Sequence, residues 1–349
     1  VTARLSFDLP PELEASEPPE ARGLTRDGVR MLVAYRSNGR LEHTTFALLP
    51  AFLDSRDLLV INTSGTMAAA LVGIDPDGSV VAVHLSSHLA GEEWVVEPRL
   101  AAGNATERWP ADGPPPPAQV RFGEDGARLE LLEPYAGSSR LWRARLHLPG
   151  PASSWLAVHG HPIRYGYVEH PWPLTAYQNV YATEPGSAEM PSAGRPFTPE
   201  VITRLVAKGV GVAPVVLHTG VASLEADELP YPERVRVPSV TAERVNATRA
   251  AGGRVIAVGT TTVRALESSY HPDLGEVREL DGWTDLVVSP ERGVNVVDGM
   301  LTGWHEPEAS HLLMLEAVAG QPLLEASYAA SLAEGYLWHE FGDVHLILP

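Results

Sequence analysis

GGRVIAVGTTTVRALE, residues 252–267, compresses a strand, a sharp turn and the start of a helix into one stretch, and the fold class follows from how it is read. Arg254 to Val258 is an apolar, β-branched run held between Gly253 and Gly259, the pattern of a short strand buried on both faces. Thr260, Thr261 and Thr262 stand where a helix must begin. One of them can cap free backbone N–H groups while the others present hydroxyls to a ligand. Val263 and Leu266 turn inward; Arg264 and Glu267, three apart, share a face and either pair or bind substrate. In open α/β sheets ligands sit beyond the carboxyl ends of strands, so Gly259 and the threonines are nominated as a binding edge. A well-capped helix without a ligand is the alternative.

Working outward, a helix begins at Thr198, with Thr198 as cap, Pro199 in the first turn and Gly209 as its stop. A strand over 211–218 ends in His218-Thr219-Gly220. After an acidic loop at 225–233, a helix over 241–251 returns to the central strand as a βαβ unit. LLVINT, 58–63, reads as a further buried strand with a polar end. Residues 30–36 and 43–46 read as a hairpin across Asn38-Gly39. On the other side, 285–288 and 294–297 read as strands, Asp298-Gly299 as a turn and 301–307 as a polar loop. Helices over 310–318 and 324–335 and a closing strand, VHLIL, complete the chain.

Between Met67 and Pro149 the texture changes to six short alternating segments separated by Gly, Pro and Asp, which predicts a small antiparallel barrel or sandwich. GPPPP, 113–117, is a stiff loop within it. The expected fold is α/β: a discontinuous large α/β domain, 1–66 and 150–349, with an inserted small antiparallel β-barrel domain, 67–149. His159 and His161 read as part of a surface hairpin, since no further ligand recurs at metal-binding spacing.

Asp plus Glu total 44 against 26 Lys plus Arg, a formal charge of −18, and Lys208 is the one lysine. That balance argues against a broad, sequence-independent grip on nucleic acid. Arg140, Arg143 and Arg145 are the candidates for a local basic groove. With no cysteine, disulfides, thiolate catalysis and iron–sulfur clusters are excluded. No leader or membrane-length apolar run is evident, so a cytoplasmic location is expected. P-loop, GxGxxG and GxSxG motifs are absent. The polar strand ends nominate His218, Thr260, Thr261, Thr262, Arg264, Asp298 and His305, in which histidine and carboxylate together can supply acid–base chemistry.

Several blocks carry a resemblance. FDLPPEL at Phe7, DLLVINTS at Asp57, YQNVYA at Tyr177, GSAEMPSAGRPFT at Gly186, VVLHTG at Val215, GGRVIAVGTTTVRALES at Gly252, VVDGMLTGWHEPEASHLLMLEAVAG at Val296 and the terminal FGDVHLIL run in order over nearly the whole chain. Together they resemble the S-adenosylmethionine:tRNA ribosyltransferase-isomerase family of queuosine biosynthesis. The resemblance implies a discontinuous α/β domain with an inserted barrel. It also implies an enzyme that moves the ribosyl part of S-adenosylmethionine (SAM) onto 7-aminomethyl-7-deazaguanine in tRNA. The product is epoxyqueuosine, with adenine and methionine released, and SAM is a substrate with no metal or second cofactor expected. On that chemistry His218 or His305 is expected as the base and Asp298 or Glu267 as a proton donor to adenine. The threonine turn, with Gly259 and Arg264, would bind SAM.

Some motif centres depart from the family. Asn62-Thr63-Ser64-Gly65 stands for Asn-Asp-Thr-Arg, Gly194-Arg195-Pro196-Phe197 for Gly-Leu-His-Phe, and Glu308 for a lysine. Val221 to Leu224 replaces a Gly-Ala-Gly-Thr-Phe stretch, and 229–234 lacks two histidines. These losses lead to the expectation of a diverged paralogue that keeps SAM, with tRNA disfavoured as partner. The alternatives are a SAM-dependent enzyme with a small-molecule acceptor, a lyase, or a non-catalytic SAM-binding protein.

Overall fold

The computed structural model describes residues 5–102, 105–110, 112–221 and 231–349. Most of the acidic loop expected at 225–233 lies outside the described residues. In chain order the first elements are β1 (Arg30–Tyr35), β2 (Leu41–Thr45), the short helix α1 (Leu49–Phe52), β3 (Leu58–Asn62) and β4 (Ser64–Thr66). Seven strands follow: β5 (Ala70–Ile74), β6 (Val80–Ala90), β7 (Glu93–Ala102), β8 (Ala105–Arg108), β9 (Gln119–Phe122), β10 (Ala127–Pro134) and β11 (Trp142–His147). Then come α2 (Ala152–His159), β12 (Glu184–Ser187), α3 (Pro199–Ala207), β13 (Gly211–Leu217), β14 (Glu233–Val237), α4 (Ser239–Ala250), β15 (Val255–Val258) and α5 (Thr260–Ser268). The chain closes with β16 (Tyr270–His271), β17 (Glu276–Val277), β18 (Leu280–Thr284), β19 (Gly299–Gly303), α6 (His311–Ala319), α7 (Gln321–Ala333) and β20 (Val344–Leu348).

Nine strands form one sheet in the order β18-β14-β13-β3-β15-β19-β20-β1-β2. Its centre, β13-β3-β15-β19, is parallel. Alternate residues of the central strands feed two cores, as the continuous apolar runs require. Leu58, Val60, Val255 and Ala257 pack toward Val263, Leu266 and Leu315 on one face. Leu59, Ile61, Ile256 and Val258 pack toward Leu49, Phe197 and Val201 on the other. The expected βαβ return is interrupted by β14, which turns back antiparallel on β13 before α4 begins.

The inserted segments form the expected antiparallel barrel. Six strands close in a ring, β11-β10-β9-β5-β6-β7, with β7 pairing β11 and β8 hanging from the edge of β7. Gly73 sits where a Cβ would lie 2.5 Å from the Arg121 carbonyl, so only glycine lets β5 approach β9. The barrel interior, with Leu71, Val83, Val96, Phe122 and Leu146, is closed by Trp155 of α2.

Three local expectations are corrected. Residues 301–303 are not loop but belong to β19, which takes the place beside β15 in parallel register, Val258 opposite Leu301. Residues 285–288 and 294–297 are not strands. The N–H groups of Asn295 and Val296 go to the Glu267 carboxylate at 2.9 and 2.8 Å, not to a strand partner. His159 ends a helix, stacked on Trp155 with centroids 4.4 Å apart, and is not part of a hairpin. Among the described residues no helix is long and apolar enough to cross a membrane.

Candidate active site

β15 and β19 run parallel, so the turns after them open at the same edge of the sheet, beside the end of β13. A cavity of about 300 Å³ lies there. Its walls are Gly259, Thr260, Thr261 and Arg264 after β15, Gly303 to Glu306 after β19, and Thr219 and Gly220 after β13. The barrel contributes Ser86, Ser87, Tyr135 and Leu141. The irregular segment before α3 contributes Tyr165, Tyr167 and Glu189, and the C-terminal segment His339 and Glu340.

The turn into α5 is shaped by Gly259, whose φ of 87° and ψ of 157° belong to a region that is essentially glycine-only. The expected threonine cap is absent, because Gly259 itself is the capping residue. The three hydroxyls divide. Thr262 turns inward to donate to the Val258 carbonyl at 2.7 Å, and Thr261 accepts from Asn62 Nδ2 at 3.1 Å. Thr260 faces the cavity at the helix N-terminus, where first-turn N–H groups lack intrahelical acceptors and favour an anion.

Arg264 does not pair with Glu267. Its guanidinium donates to Glu233, to the Tyr231 and Thr284 carbonyls at 3.1 Å, and to the Leu286 carbonyl at 2.9 Å. It is a fixed cation in the cavity wall. Burial raises the Glu233 carboxyl while Arg264 pulls it back down.

His305 follows β19. Its Nε2 lies 3.0 Å from Thr302 Oγ1, its carbonyl accepts from Trp338 Nε1, and its ring stacks on His311 with centroids 4.7 Å apart. Burial, reinforced by His311, His339 and His345, pushes His305 well below the usual imidazole range. Burial and Arg264 push His311 down to about 4. Both imidazoles are therefore neutral at pH 7, the state in which an imidazole accepts a proton.

The same cavity is lined by a set of groups that the sequence reading missed. Tyr165 donates to Glu189 and Tyr167 to Glu340. The two phenol rings stack, and Tyr167 also stacks on His339 at 4.1 Å. Burial raises both phenols, and it raises the Glu340 carboxyl despite the hydrogen bond from Tyr167. The Tyr165-x-Tyr167 alternation was the available signal; the meeting with Glu340 joins residues 173 apart in the chain. Aromatic faces and carboxylates suit a cation, whereas the α5 N-terminus suits an anion.

Three nominated residues do not join this cavity. His218 belongs to the neighbouring layer: its Nδ1 lies 2.7 Å from Ser64 Oγ, and its ring fills the space left by Gly186, where a Cβ would lie 2.4 Å away. Glu267 is spent on Arg292 and on backbone N–H groups. Asp298 precedes β19, whereas the cavity lies beyond its other end, five residues or roughly 15 Å away. There it accepts the Val255 N–H at 2.8 Å. The nominated basic groove is also neutralised. Arg143 pairs with Glu93 and Glu133 at 2.7 and 2.9 Å, Arg145 lies 3.8 Å from Glu93, and Arg140 is buried 3.6 Å from Glu97.

Comparison with known proteins agrees with the whole architecture. The pattern of the queuosine biosynthesis protein family matches residues 2–347. S-adenosylmethionine:tRNA ribosyltransferase-isomerase from Thermotoga maritima is 33% identical over 355 residues, covering 99% of both chains. The protein of that name from Symbiobacterium thermophilum is 34% identical, covering 98% of both. The crystal structure of S-adenosylmethionine tRNA ribosyltransferase from Thermotoga maritima superposes with a TM-score of 0.55 at 29% identity, covering 98% of this chain and 99% of that one. A sheet edge carrying GTTT, a barrel inserted after β4 and a correspondence that runs from end to end have one common explanation: the chain belongs to the queuosine biosynthesis protein family.

Proposed function

We propose that this protein is a SAM-dependent ribosyltransferase-isomerase that transfers the ribosyl moiety of SAM to 7-aminomethyl-7-deazaguanine in tRNA and releases adenine and methionine. The observation that carries the reading is the cavity at the sheet edge, which neutral His305 lines together with the Tyr165–Glu189 and Tyr167–Glu340 pairs. SAM carries a sulfonium and an ammonium beside a carboxylate. The carboxylate–phenol wall suits the cations, and the α5 N-terminus with Thr260 suits the carboxylate. A sulfonium acidifies the adjacent C5′ hydrogens, and neutral His305 takes one of them, so that the ylide drives loss of adenine. The substrate amine then attacks the ribosyl fragment, and methionine leaves as the epoxycyclopentane closes. Burial keeps Glu340 closer to neutrality than an exposed carboxyl, a state able to donate to a departing base.

The relatives that match this chain end to end are named for tRNA, which supports tRNA as the acceptor. The altered residues at 62–65 and 194–197 lie within a chain whose match covers 99% of the Thermotoga maritima relative. We assign residues 67–149 to an inserted barrel domain that supplies one wall of the cavity.

Adenine release from SAM, measured with and without tRNA carrying the aminomethyl-deazaguanine base, tests the reading. Release that depends on that tRNA, and falls at least about 100-fold in His305→Ala, is expected. Release without tRNA, or undiminished release by the variant, would overturn the acceptor or the base respectively.

A further inference from the structure

Among the described residues, Arg121 and Arg128 are the arginines whose side chains make neither a hydrogen bond nor an ion pair. The others, and Lys208, are engaged with carboxylates, carbonyls or other groups, as Arg143 is with Glu93 and Lys208 with the Pro50 carbonyl. The two free cations are neighbours. Arg121 on β9 stands in register with Arg128 on β10, and both are exposed. Like charges directly opposite one another on antiparallel strands repel and destabilise the pair. This happens in a chain with 18 excess negative charges, where a carboxylate partner would be easy to supply.

The nearby carboxylates are turned to other tasks. Asp125 accepts from Trp155 Nε1 and the Ala127 N–H, and Asp75 from the Asp77 and Ser79 N–H groups. Glu130 faces Arg145 and His147, each at 4.0 Å. Glu124, at the tip of the β9–β10 turn, pairs with neither arginine. Beside Arg121 the same row continues through Ile74 and Val80, 46% and 54% exposed, so the face is cationic at one side and aliphatic at the other.

We infer that this face of the barrel binds the phosphodiester backbone of the tRNA, an inference that rests on the function proposed above. Two adjacent guanidiniums without an internal counter-ion match consecutive phosphates, and binding an anion relieves their repulsion. The position fits a polymer and not the donor. Tyr135, just past the end of β10, lines the cavity, and Arg128 lies seven residues earlier, roughly 20 Å along the strand. SAM cannot span that distance, whereas an RNA with one base in the cavity can.

Arg121→Glu separates this role from a structural one, because it converts a repulsive cross-strand pair into an attractive one. The variant is expected to melt at a higher temperature than the wild type and yet bind tRNA roughly tenfold more weakly at 0.1 M salt. The slope of log K against log salt should become shallower by about one. Arg128→Glu should behave alike, and the double variant should bind more weakly than either. Unchanged affinity and slope would overturn the inference while leaving the proposed function standing. Affinity and melting temperature falling together in both single variants would assign the pair a structural role and overturn it as well. A wild-type protein that neither binds tRNA nor releases adenine in its presence would overturn both readings.

Discussion

Glu267 accepts the N–H groups of Asn295 and Val296 and the Arg292 guanidinium while its side chain is fully buried. It therefore holds the segment between β18 and β19 in place. Glu267→Ala leaves those donors unpaired, and urea unfolding should show a loss of about 3–5 kcal/mol. In the cavity the corresponding effect should be on turnover of SAM. Glu340→Gln removes the carboxyl group placed to donate to the departing adenine and should lower kcat for adenine release more than it raises KM for SAM. His305 carries its own pH signature. Its folded pKa lies below the ordinary imidazole value, so the neutral base persists as pH falls through 6.5. The acid limb of kcat/KM should lie below that of a solvent-exposed imidazole, and a limb centred near 6.5 would count against His305 as the base.

Among the elements, α3 is built as its sequence requires: Thr198 accepts the Val201 N–H at 3.2 Å and Pro199 occupies the first position. Thr198→Ala should cost about 1 kcal/mol in urea unfolding, with no effect specific to SAM. The α5 turn differs in kind. Gly259 needs a backbone that other residues resist, and an added Cβ would lie 3.4 Å from Ala193 Cβ. Gly259→Ala should therefore cost about 1–3 kcal/mol, and it should also weaken SAM binding in calorimetry by displacing the first turn of the helix.

Across the whole molecule, two histidines are buried where water cannot stabilise their charge. Burial pushes down to about 3 both His84, on the face of β6 turned away from the barrel interior beside Glu97, and His345 beneath Trp304. Below pH 6.5 the unfolded chain binds protons that the folded chain refuses. Their contribution to stability is thus complete above pH 6.5 and falls as pH drops toward 3, by about 1.4 kcal/mol per pH unit for each. His345→Phe should flatten the dependence by one such increment, read from urea midpoints between pH 7 and 5. An unchanged slope would mean that His345 is protonated in the folded protein.

What the sequence by itself determined is what short-range physics writes locally. The apolar runs at 58–62 and 255–258 are strands because only a doubly covered sheet buries them. Thr198-Pro199 starts a helix, alternation over 67–149 makes a barrel, and glycine at 259 makes the turn. The tertiary structure alone decided which polar groups meet. His218, Asp298 and Glu267 have the right chemistry, but the strand direction, the Gly186 vacancy and the loop at 295–297 commit them elsewhere. Tyr167 and Glu340 meet across 173 residues because the chain must return to cover the sheet edge. Likewise, Arg140, Arg143 and Arg145 have charge partners that strand pairing selects, whereas the arginines it leaves free, 121 and 128, become visible only once every other partner is placed. Burial then sets the ionisation of His305 and Glu340, since the cost of holding a charge away from water depends on the enclosure and not on the residue's neighbours in sequence.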